Sequence, residues 1–182
     1  MNFIIEKSTE FSQDIFNELF TASTPYLAES LKIDVYTGSE FDDEEIRTRI
    51  ENRLEKLRDL LHHMMAGFPT QIVIKNAADG RIQSMMAGSV NFAGTFLSPY
   101  TLHQPDAEGS RAYLYKSQTE HAVNLEAAFN TVGINNVRVT SGSDSQTRHA
   151  LATGWVQEES TTVNKPDGVN AITTFRTPWG WA

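Results

Sequence analysis

Five histidines and no cysteine set the first bounds on chemistry. Imidazole proton transfer is open to this chain, while disulfides, thiolate metal sites and a cysteine nucleophile are excluded. His121 stands where a helix is expected to begin. It reads either as a base or phosphate ligand, or as a surface polar residue, the simpler reading. His149 falls in a short expected helix and carries the same two readings. His62 and His63 are adjacent on one helix and so point about 100° apart, which prevents them from converging on one metal ion. They read instead as the dipole-compatible end of that helix. Asp42, Asp43, Glu44 and Glu45 read as its solvated, dipole-favoured start rather than as a cation site. Ser141-Gly142-Ser143-Asp144-Ser145 is rich in donors between an expected strand and helix, where it either caps a turn or receives an anion. Met64-Met65 and Met85-Met86 read as core or edge packing, though methionines facing a cleft also adapt to a flexible acyl chain.

These residues need elements to position them. Phe3 to Glu6 is strand-like, and Ser8 or Thr9 is expected to cap a helix carrying Phe11, Ile15, Leu19 and Phe20 at helical spacing. Pro25 is expected to interrupt that helix, with Tyr26, Leu27, Leu31 and Ile33 continuing it after the break. Ile46, Ile50, Leu54, Leu57, Leu61 and Met64 predict an amphipathic helix over 44–65, stopped by Gly67 and Pro69. Gln71 to Lys75 and Arg81 to Phe92 flank Ala78-Asp79-Gly80, a hairpin signal. Gly94 to Ser110, with Pro99, Pro105 and Gly109, reads as a long functional loop. Ala112 to Tyr115 then predicts a strand, 118–132 a helix closed by Gly133, and Val137 to Thr140 another strand. A short helix from Ser143 or Asp144 through Thr153 is stopped by Gly154. A final hairpin, 155–163 with 169–177, turns at Asn164-Lys165-Pro166-Asp167-Gly168. The order is mixed α/β, with most strands joined by hairpins.

A chain of 182 residues suits a single domain, 1–182. Fifteen basic against twenty-three acidic side chains give a formal charge of −8, which disfavours broad binding to nucleic acid or anionic lipid. Apolar runs are short and the chain opens Asn2-Phe3-Ile4-Ile5-Glu6, predicting neither a membrane span nor a signal peptide and making the cytoplasm the default location.

This element order resembles that of the GNAT superfamily, the Gcn5-related N-acyltransferases. The supporting residues are the Asp79-Gly80 hairpin, the strand 111–116 with the helix after it, and Val137-Arg138-Val139 leading to Ala152-Thr153-Gly154-Trp155. The resemblance implies a mixed, largely antiparallel central sheet flanked by helices. It also implies transfer of an acetyl or other acyl group from acyl-CoA to an amine on a small molecule or protein. In the family the fourth and fifth strands splay apart and their unpaired backbone groups bond the pantetheine arm, which here places the notch between Leu114, Tyr115 and Lys116 on one side and Val137 to Thr140 on the other.

The family's pyrophosphate loop, of the type [RQ]-x-x-G-x-[GA], aligns with Gln118-Thr119-Glu120-His121-Ala122-Val123. Gln118, Thr119, His121 and Ala122, with Ser145 from the later helix, are thereby the implied cofactor contacts, although His121 and Val123 stand where glycines belong. For the acid that protonates the leaving thiolate, many members use a Tyr before the Gly-aromatic pair. Here His149 occupies that stretch, the strand before the cofactor loop offers Tyr113 and Tyr115 but no carboxylate, and Glu158 and Glu159 lie on a following strand, where they face either solvent or the acceptor cleft. The net acidic charge suits a basic amine acceptor. The missing glycines suit the alternative, a non-catalytic GNAT-fold protein serving in binding or assembly, for example as a phage or virion component. Tyr115-Lys116-Ser117-Gln118-Thr119 is also similar to a short stretch in phage enzymes that cleave S-adenosylmethionine. Trp179 and Trp181 in the terminal Pro178-Trp179-Gly180-Trp181-Ala182 need burial, either on the domain itself or in a homo-oligomer or protein partner.

Overall fold

The computed structural model describes residues 2–36, 43–104, 125–141, 151, 155–165 and 168–177. In chain order the elements are β1 (Phe3–Ser8), α1 (Gln13–Tyr36), α2 (Asp43–Ala66), β2 (Thr70–Asn76), β3 (Ile82–Val90), β4 (Thr95–His103), β5 (Asn136–Ser141), β6 (Val156–Lys165) and β7 (Gly168–Arg176). Residues 125–130 are also helical. The strands form one seven-stranded sheet in the order β1-β2-β3-β4-β5-β7-β6. Its pairs are antiparallel except β4 with β5. The sheet is therefore the mixed, largely antiparallel one expected.

The start of α1 differs from expectation. Ser12, not Ser8 or Thr9, caps the helix: its Oγ accepts from the Ile15 amide at 3.3 Å while its carbonyl accepts from the Phe16 amide at 3.0 Å. Ser8 Oγ instead closes a turn by accepting from the Glu10 amide at 2.9 Å. Pro25 does not end the helix, which runs through it to Tyr36. The proline removes one backbone bond, but Phe16, Leu19 and Phe20 before it and Leu27 after it pack into the same apolar cluster. Tertiary packing on both sides outweighs the local preference.

α2 spans the periodic stretch, with Ile46 and Met65 buried. It lies along α1 through Arg58, which donates to Asn17 Oδ1 at 2.6 Å, and through His62, which bonds Gln13 Oε1 at 2.6 Å and packs edge-on against Phe11 and Phe16. Buried Gln71 on β2 donates from Nε2 to the carbonyls of Met65 and Phe68, satisfying acceptors at the helix end.

The core has two layers, one on each face of the sheet. Phe3, Ile5, Ile72, Ile74, Met86, Phe96, Val137, Val139 and Phe175 face helical residues Leu125 and Phe129. Met85, Ala87 and Leu102 face Phe16, Leu19, Phe20 and Met65 of α1 and α2. The Met85-Met86 pair is thus core, one residue per face, as strand alternation requires.

β4 occupies residues that the sequence assigns to a loop. The signals that argue against a strand, Pro99 and broken alternation, are the marks of a bulge. Phe96 belongs to one core layer and Leu102 to the other, although both are even-numbered. The register explains this: Ala87 pairs with Tyr100, but Ser89 pairs with Leu97, so β4 carries one extra residue at Ser98-Pro99. Pro99 needs no ladder partner for a missing N–H at that point. Gly88 lies opposite, where an added Cβ would stand 1.8 Å from the Leu97 carbonyl oxygen. Only glycine permits that approach. The strand expected at Ala112 to Tyr115, the start of the helix expected over 118–132, and all of the helix expected from Ser143 to Thr153 except Leu151 lie outside the described residues. Gly133 does close residues 125–130, with a positive φ of 78° and its amide bonded to the Asn130 carbonyl.

Candidate active site

The bulge in β4 coincides with the place where β4 and β5 part. Their parallel ladder runs from Thr95–Asn136 to Ser98–Val139. Beyond it β4 continues as far as His103 along β3, while Thr140 and Ser141 of β5 pair with β7. Gln104 donates its amide to the Gln83 carbonyl at 2.7 Å. Alternation then directs the backbone groups of Thr101 toward the side that β5 has left. Among the described residues no strand pairs with that side of β4 beyond Ser98. Ser98, buried, steadies the corner, its hydroxyl reaching the carbonyls of Ala87 at 3.3 Å and Tyr100 at 3.2 Å. A notch therefore lies between β4 and β5 beyond Ser98 and Val139; Leu114, Tyr115 and Lys116, expected to border such a notch, lie outside the described residues.

Beside the notch is a cleft of about 580 Å³ lined by Phe68, Ser89, Leu97, Ser98, Arg138, Thr140, Glu158 and Thr174. Val137, Val139 and Phe175 turn to the opposite face, so alternation presents Arg138, Thr140 and Thr174 here, on the face that carries α1 and α2. Glu158 is the extra residue of a second bulge: Gln157 pairs with Phe175 and Glu159 with Thr174. Its carboxylate lies between two guanidiniums. Arg138 Nε is 2.6 Å from Oε2 and Arg138 Nη2 is 3.2 Å from Oε1, a two-pronged contact, and Arg176 Nε is 3.6 Å from Oε1. Arg138 and Glu158 both line the cleft, their side chains about one-third and one-quarter exposed, so this pair is in contact with whatever fills the cleft.

A second polar feature sits on β4 itself. His103, buried, shares a 2.9 Å hydrogen bond between Nδ1 and the Ser84 hydroxyl, and its carbonyl accepts from Ser23 Oγ on α1 at 3.1 Å. Burial lowers its pKa from 6.5 to about 4, because the interior disfavours the charged imidazolium. It is a neutral tie between β3, β4 and α1.

Of the residues singled out in the sequence, Glu158 is in the cleft. Leu114, Tyr115, Lys116, Gln118, Thr119, His121, Ala122, Ser145, His149, Trp179 and Trp181 lie outside the described residues. Among the described residues, no group of three or more His, Asp or Glu is placed to hold a metal ion, and no helix is long and apolar enough to cross a membrane. Sequence reasoning missed Arg138, Arg176, Thr140 and Thr174 as site residues. A signal for Arg138 was present: one charge inside the apolar run Val137-Arg138-Val139 must face away from the layer its neighbours pack against.

No family model matches the sequence, and no curated protein matches it. Among solved structures, the chain is similar to a GNAT-family acetyltransferase from Bacillus anthracis, at 10% identity over 95% of this chain and 93% of that one, with a TM-score of 0.43. It is similar to a GCN5-related N-acetyltransferase from Rhodopseudomonas palustris at 14% identity over 97% and 96%, TM-score 0.46. A spermidine N-acetyltransferase SpeG chimera from Vibrio cholerae and hSSAT gives 9% identity over 97% and 95%, TM-score 0.48. The fold itself is read from this chain's own strand order and from the divergence of β4 and β5.

Proposed function

We propose that this protein transfers an acetyl or other acyl group from acyl-CoA to an amine. The observation that carries the reading is the divergence of β4 from β5 beyond Ser98 and Val139, next to a polar cleft that holds a carboxylate. The backbone of β4 at Thr101 fits a pantetheine arm and a thioester carbonyl, because its polar groups face a side from which the neighbouring strand has withdrawn. In this reading the role expected of Leu114, Tyr115 and Lys116 as a strand passes to β4. Gln118, Thr119, His121, Ala122 and Ser145 remain the residues proposed to receive the pyrophosphate. The thioester supplies an activated carbonyl and a thiolate leaving group.

The chain's own residues do the rest. Glu158, directly or through one water, takes the proton that the acceptor ammonium must lose before its nitrogen can attack. The C–N bond forms as the C–S bond breaks, the sulfur keeping the electron pair and taking a proton from Tyr115 or His149. Arg138 and Arg176 hold the Glu158 carboxylate in place for its part.

Release of free thiol from acetyl-CoA in the presence of a panel of amines tests the reading. Thiol release that depends on an amine, reduced about 100-fold or more in kcat by Glu158→Gln, is expected. Absence of release with every amine would remove the enzyme and favour a binding or assembly role. Full-rate turnover by Glu158→Gln would remove that residue as the base.

A further inference from the structure

We infer that the acceptor is an aminopolyol, an amine whose neighbouring carbons carry hydroxyl groups, as in an amino sugar. The inference rests on the acyltransferase reading for the fate of the amine, but its own support is a set of hydroxyls in the cleft that the fold leaves unused. The charged groups of the lining, Arg138 and Glu158, close on each other and select no ligand by charge. The other polar lining is Ser89 on β3, Ser98 on β4, Thr140 on β5 and Thr174 on β7. The Ser98 hydroxyl is engaged, reaching the carbonyls of Ala87 and Tyr100. Those of Ser89, Thr140 and Thr174 have no hydrogen-bond partner among the described residues, and none of the three is sealed off from the cleft.

Thr140 and Thr174 are direct cross-strand partners. They form the first row beyond Val139, where β4 has withdrawn. Glu158 bulges from β6 between Gln157 and Glu159, and Glu159 is the partner of Thr174. The carboxylate proposed to take the ammonium proton and the two threonines thus lie across three adjacent strands, a span of about 10 Å at the usual strand spacing. The threonine row also adjoins the side of β4 proposed for the thioester. A serine or threonine hydroxyl both donates and accepts, and so does each hydroxyl of a polyol. A carboxylate only accepts and an ammonium only donates. A bare alkylamine or polyamine that expels water from this row leaves the hydroxyls unpaired, a cost that an aminopolyol avoids. A site built to bond substrate hydroxyls rejects analogues that lack them. Phe68 and Leu97 supply the apolar part of the lining, a surface for the C–H face of a sugar ring. A volume of about 580 Å³ is within the range of small-molecule sites.

The test is calorimetric titration of the full chain, without acyl-CoA, against three aminopolyols (glucosamine, galactosamine and glucamine) and against cyclohexylamine, spermidine and glycine. At least one aminopolyol is expected to bind about tenfold or more tightly than every amine without hydroxyls. Thr140→Val and Thr174→Val keep the β-branched shape that suits a strand and remove the hydroxyl. Each is expected to weaken aminopolyol binding about fivefold or more, with cyclohexylamine binding and the melting temperature unchanged. Thr174→Ser, which keeps the hydroxyl, should restore most of the affinity, and this comparison decides if a valine variant proves less stable. Cyclohexylamine or spermidine binding as tightly as the aminopolyols would overturn the inference, as would no heat with any of the three, or aminopolyol binding indifferent to both valine variants. The titration needs no turnover, so its outcome is separate from the thiol-release assay. Aminopolyol binding without thiol release would remove the transferase and keep the ligand class, whereas thiol release equally fast with amines lacking hydroxyls would keep the transferase and overturn this inference.

Discussion

Burial holds the His103 imidazole neutral, its pKa pushed down to about 4, and this fixes the sign of a pH effect. An unfolded chain takes up a proton at that residue as the pH falls below 6.5, and the folded chain does not until about 4. Stability from this source is complete above pH 6.5 and is lost progressively down to about pH 4. Between pH 7 and pH 5 the loss amounts to roughly 2 kcal/mol, read as a fall in urea midpoint that His103→Gln should largely abolish. An equal fall in both proteins would contradict it. At the helix start, Ser12→Ala is expected to cost about 1 kcal/mol, while Ser8→Ala leaves α1 intact, since the Ser8 hydroxyl bonds within its own turn at Glu10; thermal melts of the two variants distinguish them. Residue-level reading of the sequence singled out Glu158, which lines the cleft, and chose the wrong cap. Ser8, Thr9 and Ser12 are equally good capping types, and which one serves depends on where the chain leaves β1, a tertiary fact.

At the scale of elements, the amphipathic helix and the hairpin around Asp79-Gly80 were legible because their periodicity is unbroken and the turn residues are specific. Gly80 has the positive φ, 73°, that its turn needs. β4 was not legible. A bulge that moves Phe96 and Leu102 to opposite faces erases the alternation by which a strand is recognised, and Pro99 adds a breaker signal at the same point. The same bulge lies where β4 and β5 part, so the feature that hid the strand also marks the proposed cofactor notch. Gly88 is the residue on which this geometry depends. Gly88→Ala sets a methyl against the Leu97 backbone, and relief requires β3 and β4 to separate. The expected cost is about 1–3 kcal/mol, with the pairing at Ser89–Leu97 and Val90–Phe96 showing faster amide hydrogen exchange than wild type. A variant with unchanged stability and exchange would show that the two strands do not approach so closely.

For the whole molecule, the order of elements in the sequence was enough to anticipate a mixed, largely antiparallel sheet, while the diverging fourth and fifth strands were an expectation of the resemblance alone. The order was not enough to place the fourth strand or to see the ion pair in the cleft. Net charge is a sum over the surface, whereas the cleft draws on β3, β4, β5, β6 and β7 together, and only the strand order β4-β5-β7-β6 brings Arg138, Glu158 and Arg176 within contact. The central claim is that the opened side of β4 receives an acyl-CoA. Isothermal titration of the intact chain with acetyl-CoA tests it most directly: one site of micromolar affinity is predicted, and no heat at millimolar acetyl-CoA would contradict it.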